Sequence, residues 1–192
     1  MTAPSHIEVV VPARNEERHI SACLMSIHRA MAQLTAEHRE MSCGVTVVLD
    51  CCTDSTAERA AELRARVVVS TLGRVGAARG AGAADAVGRS RSALLPDHLL
   101  WLANTDADSV VPSNWLTTQV RFAAAGHDAV IGTVTPDGLD PEVDRRWKER
   151  HILTEGTPMC TARISACARA RSWRRAASPT PPFTRTATWL TA

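Results

Sequence analysis

Leu99-Leu100-Trp101-Leu102-Ala103-Asn104-Thr105-Asp106-Ala107-Asp108 is the stretch that decides the fold. Five apolar residues in unbroken succession, closed by a polar turn, read as a strand buried on both faces. Asp106 and Asp108 then stand one residue apart just beyond its carboxyl end. Carboxylates so spaced can face one hard cation, and Mg²⁺ or Mn²⁺ prefers such oxygen ligands and bridges to phosphate oxygens. By itself the spacing is also that of a common acidic turn, so its neighbours must decide.

Upstream, the same signals recur in alternation. Ile7-Glu8-Val9-Val10-Val11-Pro12, Val45-Thr46-Val47-Val48-Leu49 and Val67-Val68-Val69 read as strands. Between them, apolar residues at helical spacing (Ile20, Cys23, Leu24, Ile27, Met31, Leu34) predict a helix over 17–36. Ser55-Thr56-Ala57-Glu58 fits a capping box that opens a helix over 55–65, and another helix is expected over 75–94. Downstream, Ser113 can cap a helix that Gly126 ends. A strand over 129–134 comes next, and Asp140-Pro141 supplies the cap and first turn of a last helix. Alternating α and β elements with continuous apolar strands predict an α/β fold: a mostly parallel, Rossmann-like sheet with helices on both faces.

Ligands of such sheets bind beyond the carboxyl ends of the strands. There stand Ala13-Arg14-Asn15-Glu16 after the first strand and Asp50-Cys51-Cys52-Thr53-Asp54 after the second. Leu72-Gly73-Arg74-Val75-Gly76-Ala77-Ala78-Arg79 comes after the third. Gly73 and Gly76 allow close backbone approach, and the helix that starts there offers free N–H groups to a phosphate. Arg79 could pair with a diphosphate, and Asp50 could accept a hydrogen bond from a base edge. The plainer alternatives are a turn, a solvated arginine and an Asx turn.

With 192 residues, 45% of them hydrophobic, the chain suits one α/β domain. No apolar run approaches the ~20 residues of a membrane span, and the first residues do not read as a signal peptide, so a cytoplasmic protein is expected. The six cysteines form no C-x-x-C pair and are expected to be small, mostly buried thiols rather than zinc ligands or disulfides. Charge is distributed unevenly. Residues 1–156 carry all 20 acidic residues against 16 basic ones, whereas residues 157–192 carry six arginines and no acid. The chain therefore divides into 1–156 and an aberrant basic tail, 157–192, in which no sustained strand or helix pattern is evident and which is expected to be disordered.

Together, Val9–Glu17, Val47–Thr56, Gly76–Gly80 and Asn104–Ser109, with Trp115-Leu116 downstream, resemble the family 2 glycosyltransferases of the GT-A fold. The resemblance covers roughly residues 6–156 in the family's own order. It implies that Pro12, Ala13, Asn15, Glu16 and Asp50 line a nucleoside pocket, that Gly76 and Arg79 lie near the ribose and diphosphate, and that Asp106 and Asp108 hold a nucleoside-diphosphate sugar through Mg²⁺ or Mn²⁺. It also implies an inverting transfer to an acceptor hydroxyl, the acceptor itself being unspecified, with a carboxylate in the C-terminal third as general base. Cys51 stands where many members carry a second aspartate, which leaves the choice of base open.

Residues 157–192 contain no Asp or Glu to serve as that base. Read one base earlier, codons for Met159–Cys167 permit Gly-Ala-Asn-Leu-Gly-Val, and those for Phe183–Trp189 permit a Glu-Asp pair, both at the family's spacing. This predicts a tail that is out of frame from near Pro158, and a chain that keeps the donor half of the site but no catalytic base. Three rivals stand beside this reading. A sugar nucleotidyltransferase would want a Gly-rich, lysine-containing loop after the first strand, which Ala13–Glu16 is not. A nucleotide-binding or interaction module would bind without turnover. A nucleic-acid arm would use the arginines of the tail, although no nucleic-acid partner is expected for the domain.

Overall fold

The computed structural model describes residues 3–132, 138, 140–150, 166–169 and 186–189. The order of elements is β1 (His6–Ala13), α1 (Ile20–Glu37), β2 (Ser42–Asp50), α2 (Thr56–Glu62), β3 (Arg66–Ser70), α3 (Val75–Ser92), a short 3-10 turn, and β4 (Leu100–Asn104). Next come α4 (Trp115–Ala124), β5 (Ala129–Gly132), α5 (Pro141–Arg150), β6 (Ala166–Arg169) and β7 (Thr186–Trp189). One sheet runs in the order β3-β2-β1-β4-β6-β5-β7. Its first four strands are mutually parallel.

Alternation along β1 explains both layers. Ile7, Val9 and Val11 face a core built from α1, α2 and α4, with Ile20, Leu24, Ile27, Trp115 and Leu116 fully or almost fully buried. Val10 faces the other way, toward Val48 and Ala78 beneath α3. Glu8 shares that second face at only 2% exposure, where Thr46 Oγ1 donates to it at 2.6 Å and the Arg89 guanidinium pairs with it at 2.8 Å. A buried carboxylate is tolerable here because its oxygens are met by hydrogen bonds and a cation. Helix α3 can lie this close because Gly82 has no side chain: a Cβ there would fall 2.5 Å from Val10 Cγ1.

Chain order β1–β2–β3 runs to one side of β1, and β4 returns to its other side. The topological switch therefore falls between β1 and β4, where ligands of open α/β sheets settle.

Local details depart from the sequence expectation where side chains compete for the same helix end. Ser55 makes no capping bond. Asp54 Oδ1 accepts instead from Thr56 N at 3.1 Å and from Thr56 Oγ1, because an aspartate two residues upstream reaches the same orphan donors with a charged acceptor. Ser113 is likewise not the cap of α4; Asn114 holds that place without a side-chain bond. Gly126 does end α4, at φ 92, with His127 N returning to Phe122 O at 3.0 Å. Asp140 caps α5 by accepting from Glu142 N at 2.9 Å.

The segment beyond residue 156, which shows no strand pattern in sequence, contributes β6 and β7. β6 runs antiparallel between β4 and β5, and β7 runs parallel to β5 at the edge. Unlike the apolar run of β5, Ala166–Arg169 and Thr186–Trp189 carry no run of β-branched apolar residues that would set them apart from the Ala-, Arg- and Pro-rich sequence around them. The remaining residues of 157–192, including the positions of the alternative-frame motifs not in β6 or β7, lie outside the described residues.

Candidate donor-binding site

The four parallel strands end along one rim, and a cavity of about 490 Å³ opens there, within the usual range for a small-molecule site. Pro12, Ala13, Arg14 and Glu16 contribute from the end of β1, Asp50 from β2, and Gly73 from the loop after β3. Val75, Ala78 and Arg79 line it from the first turns of α3, and Asp106, Ala107 and Asp108 from the turn after β4. Of the residues the sequence pointed to, Pro12, Ala13, Glu16, Asp50, Arg79, Asp106 and Asp108 are thus brought together. Asn15 and Gly76 are not among the lining residues.

Asn15 works in the wall behind the cavity. It sits at φ 56, and its Oδ1 accepts from Thr53 N at 2.8 Å. Three further bonds clasp the same two loops: Glu16 N to Thr56 Oγ1 at 2.9 Å, Glu17 N to Asp54 Oδ2 at 3.1 Å, and Ser55 N to Glu17 Oε2 at 3.1 Å. Cys52 Sγ adds a bond to Ala13 O at 3.3 Å. Left-handed backbone at Asn15 and again at Cys51 (φ 57) turns both chains sharply as they leave the sheet.

Asp50 organises the next wall. Its Oδ1 accepts from Ser70 Oγ at 2.8 Å and from Gly73 N at 3.0 Å. The Ser70 hydroxyl first, and the backbone N–H groups of the 72–74 loop after it, hold this carboxyl below its ordinary range. Gly73, at φ 63, is the glycine that the turn requires. Gly76 is an exposed second residue of α3 with nothing near a would-be Cβ.

Helix α1 anchors the Asp106–Asp108 turn. Cys23 Sγ donates to Asp106 O at 3.4 Å, and the buried Ser26 Oγ accepts from Val111 N at 3.0 Å while donating to Cys23 O at 2.7 Å. Burial, then the charges of Asp108 and Asp106, push the Cys23 thiol up to about 12. It is an inert core thiol, as is expected of buried cysteines, whereas Cys51 is exposed. Nothing in the sequence spacing marks Cys23 or Ser26 as supports, since they read only as part of an apolar helix face. Arg14 is more accessible to sequence reasoning, because it stands directly after the strand end.

Across the cavity, Arg79 donates from its guanidinium to Asp106 Oδ1. The rim thus combines a carboxylate pair, Arg14 and Arg79, and the N-terminus of α3 with its outward N–H groups. That set can receive a diphosphate on the helix and arginine side and a cation on the carboxylate side. Among the described residues no group of three or more His, Cys, Asp or Glu could hold a metal alone. A cation on Asp106 and Asp108 would complete its shell with phosphate oxygens and water, which fits Mg²⁺ or Mn²⁺ as a partner of a bound nucleotide.

The glycosyl transferase family 2 model matches residues 8–180. Among solved structures, S. aureus TarS (residues 1–349) aligns with a TM-score of 0.61 at 16% identity, over 96% of this chain and 58% of that one. M. tuberculosis glucosyl-3-phosphoglycerate synthase aligns with a TM-score of 0.51 at 19% identity, over 89% of this chain and 59% of that one. In complex with Mn²⁺, uridine-diphosphate-glucose and phosphoglyceric acid, the same synthase aligns with a TM-score of 0.53 at 17% identity, over 97% of this chain and 70% of that one. At these identities the likeness is one of fold, and the chain spans less than two thirds of the length of the first two structures. No curated protein matches it in sequence. Among the described residues no helix is long and apolar enough to cross a membrane.

Proposed function

The chain belongs to glycosyl transferase family 2, and from that premise we propose that residues 1–156 bind a nucleoside-diphosphate sugar for metal-assisted, inverting transfer to an acceptor hydroxyl. The observation that carries this reading is the convergence of Asp50, Gly73, Arg79, Asp106 and Asp108 on one cavity at the switch point of the sheet. Support also comes from a solved relative in fold that was crystallised with Mn²⁺ and uridine-diphosphate-glucose.

In this reading the nucleoside lies between the clasped loops after β1 and β2, against Pro12, Ala13 and Asp50. The first turn of α3 and Arg79 receive the diphosphate, since helix N–H groups and a guanidinium both favour doubly charged oxygens. Asp106 and Asp108 hold Mg²⁺ or Mn²⁺, which when bound would neutralise charge on the departing diphosphate. Ser26 and Cys23 keep the turn that carries both carboxylates in register. Residues 157–192 carry no Asp or Glu, so this segment offers no carboxylate to deprotonate an acceptor. We expect donor binding with little or no transfer by this chain, which accords with a tail read out of frame.

Titration of UDP and GDP, with and without Mn²⁺, tests the site. Mn²⁺ should strengthen binding of one of them to the wild-type chain, and Asp106→Asn or Asp108→Asn should remove about tenfold of that affinity, or ~1.4 kcal/mol. Equal metal-dependent affinity in wild type and both variants would refute the assignment. Robust sugar transfer by the wild-type chain would refute the loss of the base.

A further inference from the structure

Asp106 is asked to serve two cations. The proposed metal needs its carboxylate, yet the Arg79 guanidinium already donates to Oδ1 of that same group. The pair sits at the cavity wall with both side chains largely buried, at 25% and 22% exposure. Arg79 reaches it with an Nη nitrogen alone, while its Nε is buried without an acceptor among the described residues. A guanidinium on Oδ1 cancels the charge of the carboxylate, so a divalent ion approaching either oxygen meets a neutralised group with a second cation within a few ångströms at low local dielectric.

We propose that Arg79 is a built-in counter-ion that excludes metal from Asp106 until a nucleoside diphosphate arrives. The proposal rests on the donor-site reading above. With the cavity empty of nucleotide, Arg79 neutralises Asp106, and the carboxylate pair attracts a cation less strongly. A bound diphosphate offers the guanidinium better acceptors, two or more anionic oxygens in place of one carboxylate oxygen. Arg79 then turns to the phosphate and Asp106 is released, so that Asp106, Asp108 and a phosphate oxygen could together hold a divalent ion. The device favours loading of nucleotide and metal as a unit, and it disfavours a metal-only state.

A counter-ion of this kind has two properties that a merely structural arginine would lack. Loss of Arg79 should strengthen binding of Mn²⁺ alone and weaken binding of UDP alone, whereas a damaged fold would weaken both. Arg91 supplies the control: it lies on the same helix, pairs with Asp97 at 2.9 Å and is not among the residues that line the cavity.

The experiment measures free Mn²⁺ by electron paramagnetic resonance, and UDP by calorimetry, on wild type, Arg79→Gln, Arg79→Ala and Arg91→Gln. Arg79→Ala is the second variant because alanine is the best helix former at this position in α3. Both Arg79 variants should bind Mn²⁺ alone about tenfold more tightly than wild type, and UDP alone about tenfold more weakly, as expected when a half-buried charge contact is removed. Arg91→Gln should change Mn²⁺ affinity by less than about twofold. An unchanged or weaker Mn²⁺ affinity in the Arg79 variants overturns the proposal if wild type still binds Mn²⁺ together with UDP. So does an equal gain in Arg91→Gln, which would make the effect one of net charge. If wild type binds Mn²⁺ neither alone nor with UDP, the donor-site reading falls and this proposal falls with it.

Discussion

Replacing Gly82 by alanine places a methyl group where the structure has none to spare. The new Cβ would lie 2.5 Å from Val10 Cγ1 and 2.8 Å from Val48 Cγ2. Ordinary carbon contacts begin near ~3.5 Å, so α3 must lift by about 1 Å or the strands must give. Val10 and Val48 are fully buried, and β-branched side chains cannot swing their methyls aside cheaply. Overpacking of this kind costs about 1–3 kcal/mol, and the better helix propensity of alanine returns roughly 0.8–1.0 kcal/mol. A net loss of up to about 2 kcal/mol is expected, equivalent to a drop in Tm of up to roughly 8 °C for a domain of this size.

The functional half of the prediction comes from the same helix. Arg79 stands one turn before Gly82, and Val75 and Ala78 line the cavity from the turn before that. Lifting α3 off β1 and β2 should therefore weaken UDP binding several-fold as well as lower the Tm. Gly88→Ala is the paired control, because nothing lies within 4 Å of its would-be Cβ; it should stabilise by about 0.4–1 kcal/mol and leave UDP affinity alone. Thermal denaturation and calorimetry on the two variants read both effects. If Gly82→Ala stabilises the protein as Gly88→Ala does, the close contact between α3 and the sheet is not what holds the cavity's helix wall in place.

Ser26→Ala should cost about 1–3 kcal/mol in chemical denaturation, because Val111 N loses its acceptor in a buried position; the Asp106–Asp108 turn should then loosen, and the Mn²⁺-dependent part of UDP affinity should fall, whereas an unchanged stability would show that a water or a backbone shift replaces the hydroxyl. Acid should destabilise the fold. Asp50 is held below its ordinary value first by the Ser70 hydroxyl, and Asp85 is held there, against its own desolvation, by Arg66 and Arg89. Depressed carboxyls contribute stability that is present above their unfolded pKa of about 3.9 and is lost as pH falls through the folded values. Stability should thus be level from pH 7 to about 5 and decline below about 4, and a decline already complete at pH 5 would contradict these assignments.

The first four strands and the helices between them are legible in the sequence for one physical reason. Parallel strands covered on both faces must be apolar throughout, so Val9–Val11 and Leu100–Ala103 announce themselves as runs. Their polar ends are then forced to one rim by the parallel topology, which is why Asp50, Arg79, Asp106 and Asp108 can be assigned a common site from strand order alone. Caps are less accessible. Ser55 and Ser113 have the right chemistry, but Asp54 takes the orphan N–H of Thr56, and which of two adjacent acceptors wins depends on loop geometry. The same holds for the glycines: Gly73 and Gly76 are alike in sequence, and only the left-handed turn at Gly73 tells them apart.

The C-terminal segment is the opposite case, because its side chains and its backbone point in different directions. Its charge pattern, six arginines without an acid, sets it apart from the domain, while β6 and β7 add it to the sheet and the family match runs to residue 180. These observations are compatible because they concern different parts of the molecule. Strand pairing is made by backbone N–H and C=O groups, which Ala166–Arg169 and Thr186–Trp189 possess whatever their side chains are. Catalysis is made by side chains, and a general base requires a carboxylate or its equivalent at one position. A segment can therefore complete the sheet of a family 2 fold and still leave the acceptor side of the cavity without its base. For that reason the sharpest comparison is between donor binding, which we propose rests on residues up to Asp108, and transfer, which we propose would need side chains beyond residue 156.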